Sequence, residues 1–175
     1  MEIFATLEKR EYSFDAHRDF IQLIVFSFLA FAIPFLFSHP QALTGVIVNS
    51  FLVLAALCMK GKNVLPVILL PSLGALANGL LFGPLTIFLV YLIPFIWIGN
   101  FLLVYGIKSM MGSGYWSAGI VSSLVKAGAI FLPAYGLFLA GVIPEALLIP
   151  MGALQLGTAL AGVAIVGVGK NVLGK

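Results

Sequence analysis

Residues 122–131 read SSLVKAGAIF and lie inside an apolar run from about Tyr115 to Gly141, with Lys126 near its middle. A helix of about 20 apolar residues crosses the hydrocarbon core of a bilayer, and this run is long enough. Its lysine would be ordinary on a water-soluble surface. In a membrane it stands at the depth where a charge costs most. The rest of the chain decides which setting applies.

Of 175 residues, 62% are hydrophobic and only 9% charged, with mean hydropathy +1.17. A soluble domain carries about one quarter charged residues, so the composition predicts a polytopic membrane protein with almost no extramembrane domain. Six segments have the length and apolarity of a span: roughly 20–38, 42–59, 64–82, 85–107, 116–141 and 146–169. The breaks SHPQ (38–41), KGKN (60–63), FGP (82–84), KSMMGSG (108–114) and GVIPE (141–145) have the Gly, Pro and polar content of turns. Pro66, Pro71, Gly74 and Gly79 interrupt the third segment, which admits a broken or re-entrant piece if other protein surrounds it.

Charge sets the orientation. With the amino terminus in the cytoplasm, the inner side receives Lys9, Arg10, Arg18, Lys60, Lys62, Lys108, Lys170 and Lys175, while the outer turns hold His39 and Glu145. That asymmetry follows the positive-inside rule. The expectation is an all-α, compact bundle of six transmembrane helices over 20–170, both termini cytoplasmic, in the cell (plasma) membrane and in contact with its lipid. Residues 1–19 (MEIFATLEKREYSFDAHRD) form a separate amino-terminal segment, read either as an amphipathic helix at the inner interface or as a solvated leader. This stretch has no cleavable-signal pattern, since charges of both signs precede a first apolar run that is too long. The net charge of +3 and pI near 9.1 follow from topology, so no nucleic-acid partner is expected. The single cysteine, Cys58, has no internal disulfide partner.

Several chemistries lack their residues. No acid occurs between Asp19 and Glu145, and the two histidines flank the first helix. No His/Cys/Asp/Glu set has metal-ligand spacing, and no phosphate-cradling glycine loop with its lysine is present. The reading is therefore not an enzyme, with no metal and no cofactor.

The polar residues inside the apolar segments are few, and lipid would leave their hydrogen-bonding groups unsatisfied, so they face the bundle interior. Asn49 and Ser50 read as interhelical glue. Asn78, Asn100 and Gln155 suit either glue or ligand contact. Lys126 has no carboxylate at matching depth, and it lies too far from both helix ends to reach water fully. It either loses its charge, bonds carbonyls freed by the prolines at 94, 133 or 150, or meets an anion from outside. Ser122 lies one turn from it, and Tyr135 shares its helix. The fourth segment, FLVYLIPFIWIGN (88–100), offers Tyr91 and Trp97 as a surface for a planar ring, or as core and interface aromatics. The candidate substrate-binding set is thus Lys126, Asn100, Gln155, Trp97, Asn78, Tyr91, Tyr135 and Ser122. Two small-residue stripes, Gly119–Ser123–Ala127 and Ala153–Gly157–Ala161, predict close packing of helices five and six.

Six helices in under 200 residues, with IPFIWIGNFLLVYGIK (93–108), SSLVKAGAIF (122–131) and GALQLGTALAG (152–162), resemble the substrate-binding S-components of energy-coupling factor vitamin transporters. The similarity is one of pattern over helices three to six. It implies a binder of a small, water-soluble nutrient or vitamin, which enters from outside into a cavity formed largely by helices four to six and an outer loop. It also implies a transmembrane T-component and two ATPase subunits as partners. Lys126 would then pair with a carboxylate or phosphate, and Asn100, Gln155 and Asn78 would supply hydrogen bonds. The first helix departs from the family pattern: it reads SFLAFAIPF (27–35), with Ala30 and Ala32 two apart where many relatives carry A-x-x-x-A. Two alternatives from other classes are a small channel or facilitator and a non-transporting structural or assembly protein.

The orientation is open to a direct test. In a Cys58→Ser background, single cysteines at Pro40 and Ile143 should react with an impermeant maleimide on intact cells, whereas those at Gly61 and Met111 should react only after permeabilisation. The reverse pattern would overturn the orientation.

Overall fold

Prolines and glycines set the ends of the helices. The computed structural model describes residues 16–37, 39–79 and 81–173, which form six main helices. These are α1 (Ala16–Leu36), α2 (Gln41–Cys58), α3 (Leu65–Asn78), α4 (Leu89–Met110), α5 (Tyr115–Leu139) and α6 (Ala153–Leu173). Pro40 precedes α2, where its missing N–H costs no helical bond. Gly79 ends α3 at φ +75, a left-handed cap that a side chain would resist. A short extended segment, Leu81–Pro84, and a 3-10 turn, Leu85–Phe88, then lead into α4. Of the amino-terminal segment expected over 1–19, residues 1–15 lie outside the described residues.

Five of the six helices are long and apolar enough to cross a membrane. The third is not, which corrects the expectation of six full spans. Hydropathy continues past Gly79, but α3 stops there after 14 residues, about 21 Å of helix. It still runs the whole way beside α1 and in the same direction. Leu23 and Ile24 share a groove with Leu65 and Pro66, the Phe31 carbonyl lies against Gly74, and Asn78 Nδ2 donates to Phe35 O at 2.5 Å. The six helices therefore alternate in direction.

One end of the bundle gathers the cations. There Lys108 Nζ donates to Met59 O at 2.7 Å, Lys170 Nζ lies 5.7 Å from the Tyr115 ring centroid, and Asp19 and Gln22 share a crevice with Lys60 and Asn63. The start of α1 and the end of α6 are both at this end. The opposite end carries the Pro40 turn, the Leu81–Pro84 segment and Glu145.

Two apolar clusters fill the interior. One, nearer the cation-rich end, includes Leu52, Val53, Val64, Leu103, Ile107 and Val163. The other includes Ala75, Leu89, Ile96, Ile130, Leu147 and Met151. Between them lies a layer of buried polar side chains: Asn49, Asn100, Lys126 and Thr158. On α4, Asn100 comes between Ile96 and Leu103; Thr158 of α6 comes between Met151, on the short helix before α6, and Val163.

The first small-residue stripe is buried, and Gly119 brings α5 against Val163 of α6. The second is a correction: Ala153 and Gly157 are exposed. Instead α6 turns Thr158 and Gly162 inward, against α2.

The α1–α3 contact depends on a missing side chain. A Cβ on Gly74 would sit 2.3 Å from Phe31 O, a helix main-chain atom, whereas one on Gly128 would meet nothing within 4 Å. Gly74→Ala should therefore lower stability by about 1–3 kcal/mol in detergent melts, and Gly128→Ala, in open space within α5, should not lower it. Equal melting of both variants would show that the two helices do not pack this closely.

Candidate functional site

Three helices meet where glycine lets them. On α2, a Cβ at Gly45 would lie 2.9 Å from Thr158 Cγ2; on α6, one at Gly162 would lie 2.8 Å from Ser50 N. The α2 and α6 backbones thus nearly touch, and Asn49 and Thr158 face each other between the two glycines.

Asn49 Nδ2 donates to Gly45 O at 2.9 Å and to Thr158 Oγ1 at 3.0 Å. Thr158 gives its own hydroxyl proton to Leu154 O at 2.8 Å, leaving its oxygen as the acceptor. Both amide hydrogens of Asn49 are thereby committed, which turns Oδ1 toward α5, where Lys126 Nζ donates to it. Lys126 is 1% exposed. Its partner is this neutral side-chain amide, so it does not bond carbonyls freed by the prolines. Among the described residues the only acids are Asp19, at the cation-rich end, and Glu145, exposed at the other. The lysine of the polar layer has no carboxylate partner among the described residues.

Immediately above this layer is a cavity with about 90 Å³ open to water-sized molecules. It reaches from Gln41 and Phe82, at the end away from the cations, down to Asn49, Asn100 and Lys126. Every main helix lines it, with α2 contributing Thr44, Val48 and Asn49 and α3 contributing Pro71, Ser72 and Ala75. That corrects the expectation of a cavity built largely from helices four to six.

The eight candidate residues divide. Lys126, Asn100 and Gln155 line the cavity. Asn100 also donates to Ile68 O at 2.9 Å, tying α4 to α3. Trp97 stands behind the wall, its Nε1 donating to Ser72 Oγ at 2.7 Å and to Leu69 O at 3.1 Å. Asn78 joins α3 to α1 and is not in the lining. Tyr91 and Tyr135 are 53% and 44% exposed and point away from the cavity, Tyr135 among Phe131 and Phe138. Ser122 is buried against Gly106, outside the lining, and its hydroxyl has no hydrogen-bond partner.

Asn49 and Thr158 complete the site beyond the eight candidate residues, and the Asn49–Thr158 bond links α2 to α6 as expected of interhelical glue. One signal pointed to them. Asn49 follows Gly45 by four residues and Gly162 follows Thr158 by four, so on two helices that run in the same direction each glycine faces the other helix's polar residue.

The chain of bonds makes a coupling prediction. Asn49→Leu leaves Lys126 without an acceptor and should destabilise by about 1–3 kcal/mol. In a Lys126→Met background the same change should cost far less, because the stranded donor is gone. Equal costs in both backgrounds, measured by thermal or denaturant unfolding, would show the pair uncoupled.

No family model, curated protein or solved structure matches this chain, and its function is read from the site's own chemistry.

Proposed function

We propose that this chain is a membrane-embedded binding subunit for uptake of a small, anionic nutrient or vitamin. One observation carries the reading: a buried lysine at the floor of a cavity has a neutral amide as partner and, among the described residues, no carboxylate near it. An ammonium removed from water without a counter-ion is costly. An anion that enters the cavity supplies the missing charge and gains from the low local dielectric.

The positive-inside rule supports an orientation with the cation-rich end in the cytoplasm and the cavity mouth outside, in the cell membrane. The resemblance to S-components of energy-coupling factor transporters supports partnership with a T-component and two ATPase subunits. In that setting the chain captures substrate and the partners supply the energy. A channel needs a continuous polar path, and the packed cluster of Leu52, Val53, Leu103 and Ile107 below the polar layer argues against one.

A second reading, a structural protein without a ligand, is favoured by one observation: the Asn49–Thr158 bonds join α2 to α6 whether or not anything binds. Lys126 separates the two. If it contacts an anion, Lys126→Met should weaken binding by about 2–4 kcal/mol while the protein folds at least as stably, since a buried cation has gone. Native mass spectrometry of protein purified in mild detergent should show a retained small acid on the wild type and not on the variant. A variant that is less stable and yet retains the same molecule would remove Lys126 from the site.

A further inference from the structure

We infer that the site takes a monoanion: a small monocarboxylate whose carboxylate sits on Lys126 and whose uncharged, mostly apolar body lies toward Phe82. The inference rests on the reading of Lys126 as an anion contact and adds the charge and shape of the ligand.

Charge is counted first. Among the described residues, Lys126 is the one basic side chain in the lining, and no carboxylate accompanies it. A second negative charge on the ligand would be buried uncompensated, which disfavours dicarboxylates and phosphate dianions. A ligand ammonium would find only neutral oxygens, which disfavours zwitterions.

Placement follows from the hydrogen bonds. Asn49 takes one Lys126 N–H, leaving the others for a ligand. The α4–α5 crossing is close at this point, since a Cβ on Gly99 would lie 3.3 Å from Lys126 O, and it brings the neighbouring Asn100 to the same floor. Above the floor the walls are mainly apolar, with Ile96, Met151 and Leu154 below Phe82. About 90 Å³ holds on the order of half a dozen waters, so the enclosed part of the ligand is small.

The polarity of the floor is set by Asn49 and is therefore reversible. Asn49→Asp would place a carboxylate against Lys126 in nearly the same volume. The cavity would then offer no net charge, and an anion would lose its advantage over a neutral analogue.

The test uses ligands of matched length on the purified full chain in detergent, with thermal shift and calorimetry as readouts. Hexanoate, hexanamide, adipate, 6-aminohexanoate and inorganic phosphate are compared, together with a straight-chain series from butyrate to octanoate. Within that series at least one monocarboxylate should bind at least tenfold more tightly than its amide, dicarboxylate or amino-acid counterpart. The preference over the amide should vanish in Asn49→Asp and in Lys126→Met, the second serving if the first does not fold. If adipate or phosphate binds as tightly as the best monocarboxylate, and still needs Lys126, the monoanion assignment falls while anion binding stands. If no acid binds in a Lys126-dependent way, the assignment falls as well.

Discussion

The interior of this bundle has no bulk water to complete a hydrogen bond, so each polar group must find its partner in the protein. The amide of Asn49 answers that constraint for three helices at once. It gives both hydrogens to α2 and α6 and turns its oxygen to the lysine of α5. Replacing any one of the three partners alters what the other two can do. The geometry also fixes the character of the site: the partner of the lysine Nζ is a neutral amide oxygen and not a carboxylate.

Close backbone approach makes the arrangement possible. Gly45 and Gly162 let α2 and α6 nearly touch, and Gly99 lets α4 pass α5 beside Lys126. Small residues are the usual means of bringing helices together in lipid, where no hydrophobic force drives them. Here they also set the depth of the cavity. It ends where the polar side chains begin, because the helices below them close on a packed apolar cluster.

Much of this was legible in the sequence, for physical reasons that also mark where legibility stops. Helix boundaries follow Pro and Gly, whose backbone limits are local, so four of the six lie within about four residues of the expected positions. The third ends early, and the sixth begins at Ala153 after a break at Gly152. Lys126 stood out because a lone cation in an apolar run has no local explanation. The third helix read too long because hydropathy reports apolarity, and Leu81 and Phe82 remain apolar after Gly79 has turned the chain. The aromatic character of Tyr91 and the shared helix of Tyr135 and Lys126 suggest site residues, but neither feature says which helix face meets lipid. In a membrane both inside and outside are apolar, so the usual contrast is absent. The partner of Lys126 lies 77 positions away on another helix, and no local pattern encodes that pairing.

The division of the core into two apolar clusters has an electrical consequence. A membrane voltage falls mainly across low-dielectric material and little across a vestibule that admits water. The packed cluster between the polar layer and the cation-rich end is the insulating part of this protein. On the proposed reading, an anion that reaches Lys126 through a water-admitting cavity would cross only part of the field, whose full value is about 2.3 kcal/mol per charge for each 100 mV. The rest of the voltage would fall across the packed cluster below the floor.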